Sequence, residues 1–243
     1  MPQPITRTII AASDELADRV DSLDFAPPVA AVYNPLRYAR EVRVRYYERF
    51  ATGPRRVVFL GMNPGPWGMA QTGIPFGEID AVRKWMGLSG QVDRPDHEHP
   101  RRPVEGFACE RSEVSGRRFW GLMAERFADA EEFFASHFVA NYCPLVFMAD
   151  TGRNITPDKL PADERAPLFR LCDEFLARLV EELRPEHLVG VGKFAAARAE
   201  AATARLADPP EVSSILHPSP ASPAANRDWA GQATRQLRAI GVW

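Results

Sequence analysis

Asn63, Asn141 and His217 each stand at or just beyond the end of a short apolar run, at the head of loops with unusual composition. A carboxamide orients a water or a base edge but takes no proton near neutral pH. An imidazole donates or accepts at that pH, depending on its tautomer. Asn63 opens residues 61–77, GMNPGPWGMAQTGIPFG, whose glycines and prolines exclude a helix or strand interior and let backbone approach a ligand closely. Phe76 is held there between Pro75 and Gly77. His217 opens residues 217–226, HPSPASPAAN, where spaced prolines make a stiff projecting loop. Each motif alone also reads as ordinary structure: a tight strand-to-helix turn with Phe76 in the core, and a capped surface loop with a structural histidine. No Lys-Ser or Lys-Thr follows the glycines, so the first is not a phosphate-binding loop. Neither motif contains a lysine, which argues against Schiff-base chemistry.

These residues need a scaffold that brings distant segments together. Four apolar runs read as buried parallel strands: Val57–Leu60 stopping at Gly61, His137–Ala140 ending at Asn141, His187–Val191 ending at Gly192-Lys193, and Glu211–Leu216 ending at His217. Helical spacing lies between them, notably over 116–127 and 163–183, and Trp229–Ile240 closes the chain. Residues 36–50 predict an outer helix with a basic face, and residues 89–112 a long, polar, proline-rich surface loop. Alternation of strand and helix predicts an α/β fold, a three-layer α/β/α sandwich on a central four-stranded, mainly parallel sheet. Residues 1–243 read as one domain, with no repeat or linker. In such sheets ligands sit beyond the carboxyl ends of the strands, so Asn63, Asn141 and His217 are expected to converge.

Composition constrains the partners. The 243 residues are 45% hydrophobic and 26% charged, as in ordinary globular proteins, and no apolar run approaches the roughly 20 residues that cross a bilayer. A net charge of −2 disfavours a protein that coats nucleic acid with a basic body, so any DNA contact would use a local basic face. The N-terminus lacks a secretory pattern, and Cys109, Cys143 and Cys172 have no CxxC spacing. They are expected to be reduced, mostly buried thiols of an intracellular protein, cytoplasmic in a bacterium or nuclear in a eukaryote. His97, Glu98 and His99 with Cys109 offer metal-binding residue types, but their spacing fits no zinc pattern; a solvated loop is expected.

Taken together, GMNPGPWGMAQTGIPFGE and HPSPASPAAN resemble the single-strand-selective monofunctional uracil-DNA glycosylases of the uracil-DNA glycosylase superfamily. SEVSGRRFWG (112–121), FVANYCPLVFM (138–148), GRNITP (152–157) and LVGVGK (188–193) support the resemblance, which spans roughly residues 30–240. It implies a uracil-DNA-glycosylase-like fold and a monofunctional enzyme that flips uracil, or an oxidised derivative, out of single- or double-stranded DNA. It implies a monomer, without cofactor, metal or membrane contact; the iron–sulfur members need four cysteines, and this chain has three. Carried over residue by residue, Asn63 places the attacking water and His217 donates to uracil O2. Phe76 stacks on the flipped base and Asn141 reads its edge. Met62, Gly65 and Met69 shape the pocket, the Gly65–Met69 segment lying near C5, where relatives reject thymine but accept 5-hydroxymethyluracil. Ser219, Pro220, Ala221 and Arg227 fall on the DNA-binding loop. Some relatives carry a large basic wedge at the position of Ala221, a departure that puts duplex opening in doubt. Arg101, Arg102, Arg117 and Arg118 are further candidates for the basic face, or plain surface charge. The competing readings are a non-catalytic module that binds damaged bases and a hydrolase of free nucleosides.

Overall fold

In a computed structural model, which describes residues 3–243, the elements follow in chain order as α1 (Pro4–Asp21), β1 (Ala31–Tyr33), α2 (Pro35–Tyr38), α3 (Arg40–Phe50), β2 (Val57–Gly61), α4 (Met69–Thr72), α5 (Val114–Arg126), α6 (Ala130–Ser136), β3 (His137–Asn141), β4 (Val146–Met148), β5 (Asn154–Ile155), α7 (Ala162–Leu183), β6 (His187–Val191), α8 (Lys193–Thr203), β7 (Glu211–Ile215) and α9 (Pro223–Ala239). The four runs read as strands form one all-parallel sheet in the order β3-β2-β6-β7. Gly61 pairs with Asn141, Leu60 with Gly190, and Val191 with Ile215, so the strands finish level with one another. The loops carrying Asn63, Asn141 and His217 therefore leave the sheet along one edge.

Pairing in register places side chains on two faces. Phe59 lies on one face, edge-on to Phe119 of α5 at 5.6 Å between ring centroids and stacked over Phe133 of α6 at 6.4 Å. Trp229 of α9 packs on Phe119, 6.3 Å away. Phe138 points to the opposite face, where Tyr46 of α3 meets it at 5.2 Å. Gly190 is also there, and a Cβ on it would collide with Ala196 of α8, so that helix lies directly on the sheet. α7 packs outside α8 and carries α1 in turn. Its buried positions, Leu168, Leu171, Cys172, Phe175, Leu176, Leu179, Val180 and Leu183, recur at three- and four-residue steps, the stripe that an amphipathic helix needs. The three layers follow from burying both faces of a parallel sheet.

Several elements differ from the sequence expectation. The sequence reading assigns no helix to residues 4–21, where α1 buries Ile9, Ala12, Leu16, Ala17 and Val20. Residues 36–50 are not one outer helix: Ala39, with φ −108° and ψ 26°, separates α2 from α3. Nor is the face basic. Arg43 is 1% exposed, donating to Ser13 Oγ and Asp14 Oδ1 at 2.5 Å each, while Arg37 pairs with Asp21 and Arg40 with Asp14. Acidic residues of α1 neutralise that surface. A second, antiparallel sheet, β1-β4-β5, flanks the main one, from strands too short to show a pattern in sequence. Among the described residues no helix is long and apolar enough to cross a membrane.

Candidate active site

Beyond the strand ends lies a cavity of about 520 Å³ whose wall includes Met62, Asn63, Gly65, Phe76, Asn141 and His217. Asn63 stands two residues past β2. Its Nδ2 donates to the Leu145 carbonyl at 3.2 Å and less favourably to the Pro64 carbonyl at 3.4 Å. Those bonds orient the amide and leave Oδ1 as an acceptor without a protein donor among the described residues. Asn141 ends β3 opposite Gly61, and only glycine fits there, because a Cβ would collide with Asn141 Oδ1 and fall 2.8 Å from the Phe76 ring. Asn141 Nδ2 also lies 3.2 Å from Met69 Sδ.

Phe76 has φ 52°, a left-handed conformation that costs a residue with a side chain about 1–2 kcal/mol. Packing holds it there. The ring stacks on Phe119 at 4.7 Å and 13°, so the loop is pinned to α5, and the cavity receives a rigid aromatic wall. His217 follows β7, its ring 6.3 Å from that of Phe76. Burial lowers its pKa from the ordinary 6.5, which keeps the imidazole neutral at pH 7. The loop after it is clamped: Arg118 donates to the Pro218 and Ser219 carbonyls and to Asn226 Oδ1, at 3.1, 3.4 and 2.9 Å. Trp229 Nε1 donates to the Leu216 carbonyl at 2.7 Å, and Ser222 caps α9 just before Pro223.

Not every residue singled out in the sequence reaches the cavity. Met69 is buried behind Asn141, touching its amide rather than lining the wall. Ser219 and Pro220 do line it, while Ala221 and Arg227 are exposed and outside it. Arg118 is no free surface charge, since its donors are bound within the loop. Two features escaped the sequence reading. Trp67 lines the cavity with the guanidinium groups of Arg102 and Arg111 at 5.0 and 4.4 Å from its ring, and Glu113, at the start of α5, contributes a carboxyl. The SEVSG segment hinted at Glu113 only as part of a family pattern. His99 bonds the Asp150 carbonyl and the Arg101 N–H through its two ring nitrogens, and among the described residues no group of three or more His, Cys, Asp or Glu is placed to hold a metal ion. The three cysteines are buried and form no disulfide.

The family model of the uracil DNA glycosylase superfamily matches residues 50–238. A single-strand selective monofunctional uracil DNA glycosylase of Bos taurus is 47% identical over 245 residues, covering 99% of this chain and 90% of that protein. The chain belongs to this family. The protein of the same description from Mus musculus is 46% identical, with 99% of this chain and 88% of that protein covered. The Rattus norvegicus glycosylase is 48% identical over 223 residues, 92% of this chain and 80% of that one. Wild-type Pedobacter heparinus SMUG2, known from a crystal structure, shares the glycosylase fold at 18% identity and a TM-score of 0.65, over 95% of this chain and 98% of that one.

Proposed function

We propose that this glycosylase hydrolyses the N-glycosidic bond of uracil in DNA, releasing the free base and leaving an abasic site. The observation that carries the reading is that Asn63, Phe76, Asn141 and His217, from three separate segments of one chain, line one cavity. A single copy therefore supplies the whole set, consistent with action as a monomer.

A target base inside a duplex is out of reach, so it is taken from single strand or flipped out, at a few kcal/mol. Stacking on Phe76 offsets about 1–3 kcal/mol of that. Asn141 accepts from uracil N3–H and donates to O4. Cytosine presents the opposite pattern and would leave buried polar groups unpaired, a strong basis for rejection. As the bond to the sugar breaks, charge builds on the base, and neutral His217 donates to O2, an interaction worth roughly 3 kcal/mol in the transition state. Asn63 cannot accept a proton, so it only orients the water. The order is dissociative: the base leaves as an anion, then water adds to the sugar cation and loses a proton. No lysine lines the cavity among the described residues, which supports a monofunctional enzyme over a Schiff-base lyase.

The DNA strand would run past the stiff loop carrying Ser219 and Pro220. Trp67, with Arg102 and Arg111 on its ring, supplies a basic rim, and exposed Arg227 is free of ion pairs among the described residues. Ala221 has too little side chain to wedge a duplex, which favours single strands. The test compares a uracil-containing oligonucleotide with deoxyuridine, followed by alkali cleavage. Cleavage of the oligonucleotide alone is expected. Binding without cleavage would indicate a recognition module, and turnover of the nucleoside a different hydrolase.

A further inference from the structure

Arginines are partnered differently on two sides of the molecule. Every arginine of α2 and α3 is in an ion pair: Arg37 with Asp18 and Asp21, Arg40 and Arg43 with Asp14, Arg45 with Glu41 and Arg49 with Glu131. Arg101, Arg102 and Arg111, from the loop before α5, pair with no carboxylate among the described residues. Glu105, Glu110 and Asp150 stand near them in sequence and pair with none of them.

These unpaired cations sit beside the cavity. Trp67 lines it and carries Arg111 at 4.4 Å and Arg102 at 5.0 Å from its ring. Arg102 is committed, donating to the Gly152 carbonyl at 2.8 Å and the Arg101 carbonyl at 3.1 Å. That contact ties the loop to the turn before Asn154, which lines the cavity as well. Arg111 is exposed, and no described residue accepts from its guanidinium. The face of Trp67 sets its place rather than an acid, and a cation–π contact uses none of its five N–H donors. A guanidinium held in this way offers a planar fork to an anion with two oxygens, such as a phosphodiester.

On the uracil reading, a nucleotide whose base fills the cavity leaves its sugar and phosphates at the mouth. The loop after His217 brings no cation there: the donors of Arg118 are bound to its carbonyls, and Ala221 carries no charge. We propose that Arg111, held on Trp67, binds a backbone phosphate flanking the target nucleotide and so fixes the strand over the cavity.

The test measures single-turnover excision from a single-stranded uracil oligonucleotide, over a range of enzyme and salt concentrations. It compares the wild type with Arg111→Ala, Arg111→Lys and, from the paired side, Arg45→Ala. Arg111→Ala should raise the half-saturating concentration about tenfold, the scale of a hydrogen bond to a charged group, with the maximal rate within about twofold. Its plot of log affinity against log salt should be shallower by about 0.7, one phosphate contact on a single strand. Arg111→Lys keeps the charge and should keep that slope, losing part of the affinity with the fork. Arg45→Ala should change neither. A methylphosphonate, which removes one backbone charge, then locates the contact. Placed singly at successive phosphates on either side of the uracil, it should weaken wild-type binding about tenfold at one position and leave Arg111→Ala unaffected there. Independent losses at every position, an unchanged slope in Arg111→Ala, or an equal effect from Arg45→Ala would overturn the assignment while leaving uracil excision intact as a function. A wild type that removes no uracil would remove the reading beneath it.

Discussion

Arg43 and the cavity groups are two ways of burying polarity in one molecule. Between α1 and α3, the two terminal nitrogens of Arg43 donate to Ser13 and Asp14 while its Nε has no partner, and the side chain lines no part of the cavity beyond the strand ends. In the cavity, Asn63 is anchored through its amide nitrogen only, Glu113 has no donor, and His217 is kept neutral by burial. The ion-paired group joins two helices. The open groups keep hydrogen-bonding capacity for a ligand at the expense of stability, as functional sites commonly do. Substitutions in the two places should therefore separate stability from turnover.

The largest change in stability is expected from Arg43→Ala, about 3 kcal/mol by urea denaturation, with unchanged single-turnover excision by the folded fraction. A rate that fell with stability would break the contrast. Asn63→Ala and His217→Ala should each reduce single-turnover excision about 10²-fold or more while the urea midpoint hardly moves. An unaltered rate in either variant would remove that residue's role. Phe76→Ala should weaken binding of an extrahelical uracil by about 1–3 kcal/mol, read by titration of a labelled oligonucleotide.

The smallest effect concerns pH. Glu113 titrates near 4.5 in an unfolded chain and at about 7 in the fold, so the native state holds its proton more tightly. Its contribution to stability is fully present below pH 4.5 and is lost as the pH rises through 7. Glu113→Gln should thus gain on the wild type in unfolding free energy between pH 5 and pH 8, by about 1–2 kcal/mol in a cavity open to solvent, as read by urea denaturation at each pH. A difference that stays flat across that range would place the carboxyl among solvated groups and narrow its contrast with Arg43.

Strands β2, β3 and β6 were legible because each is a short, nearly continuous apolar run, and a parallel strand buried on both faces has no other pattern, whereas the edge strand β7, EVSSI, is only partly buried. The polar residue at or just past the end of three of the four runs, Asn63, Asn141 and His217, then marked the cavity. Helix α1 has an apolar stripe as clear as that of α7, with Ile9, Ala12, Leu16, Ala17 and Val20 buried at helical spacing, so it is legible in the sequence in the same way. The break at Ala39 was not legible, since no glycine or proline stands there. The left-handed Phe76 was hidden for a similar reason: its backbone is held by Phe119, more than forty residues away in sequence.

By itself the sequence determined the element types and the residues able to orient water, donate to an anion and stack on a base, because periodicity and side-chain chemistry are local properties. Tertiary structure alone decided which polar groups are satisfied. Arg118 became a loop clamp, Arg43 a buried anchor and Glu113 an open acceptor because each depends on partners contributed from elsewhere in the chain, and the satisfaction of a hydrogen bond is a fact about space.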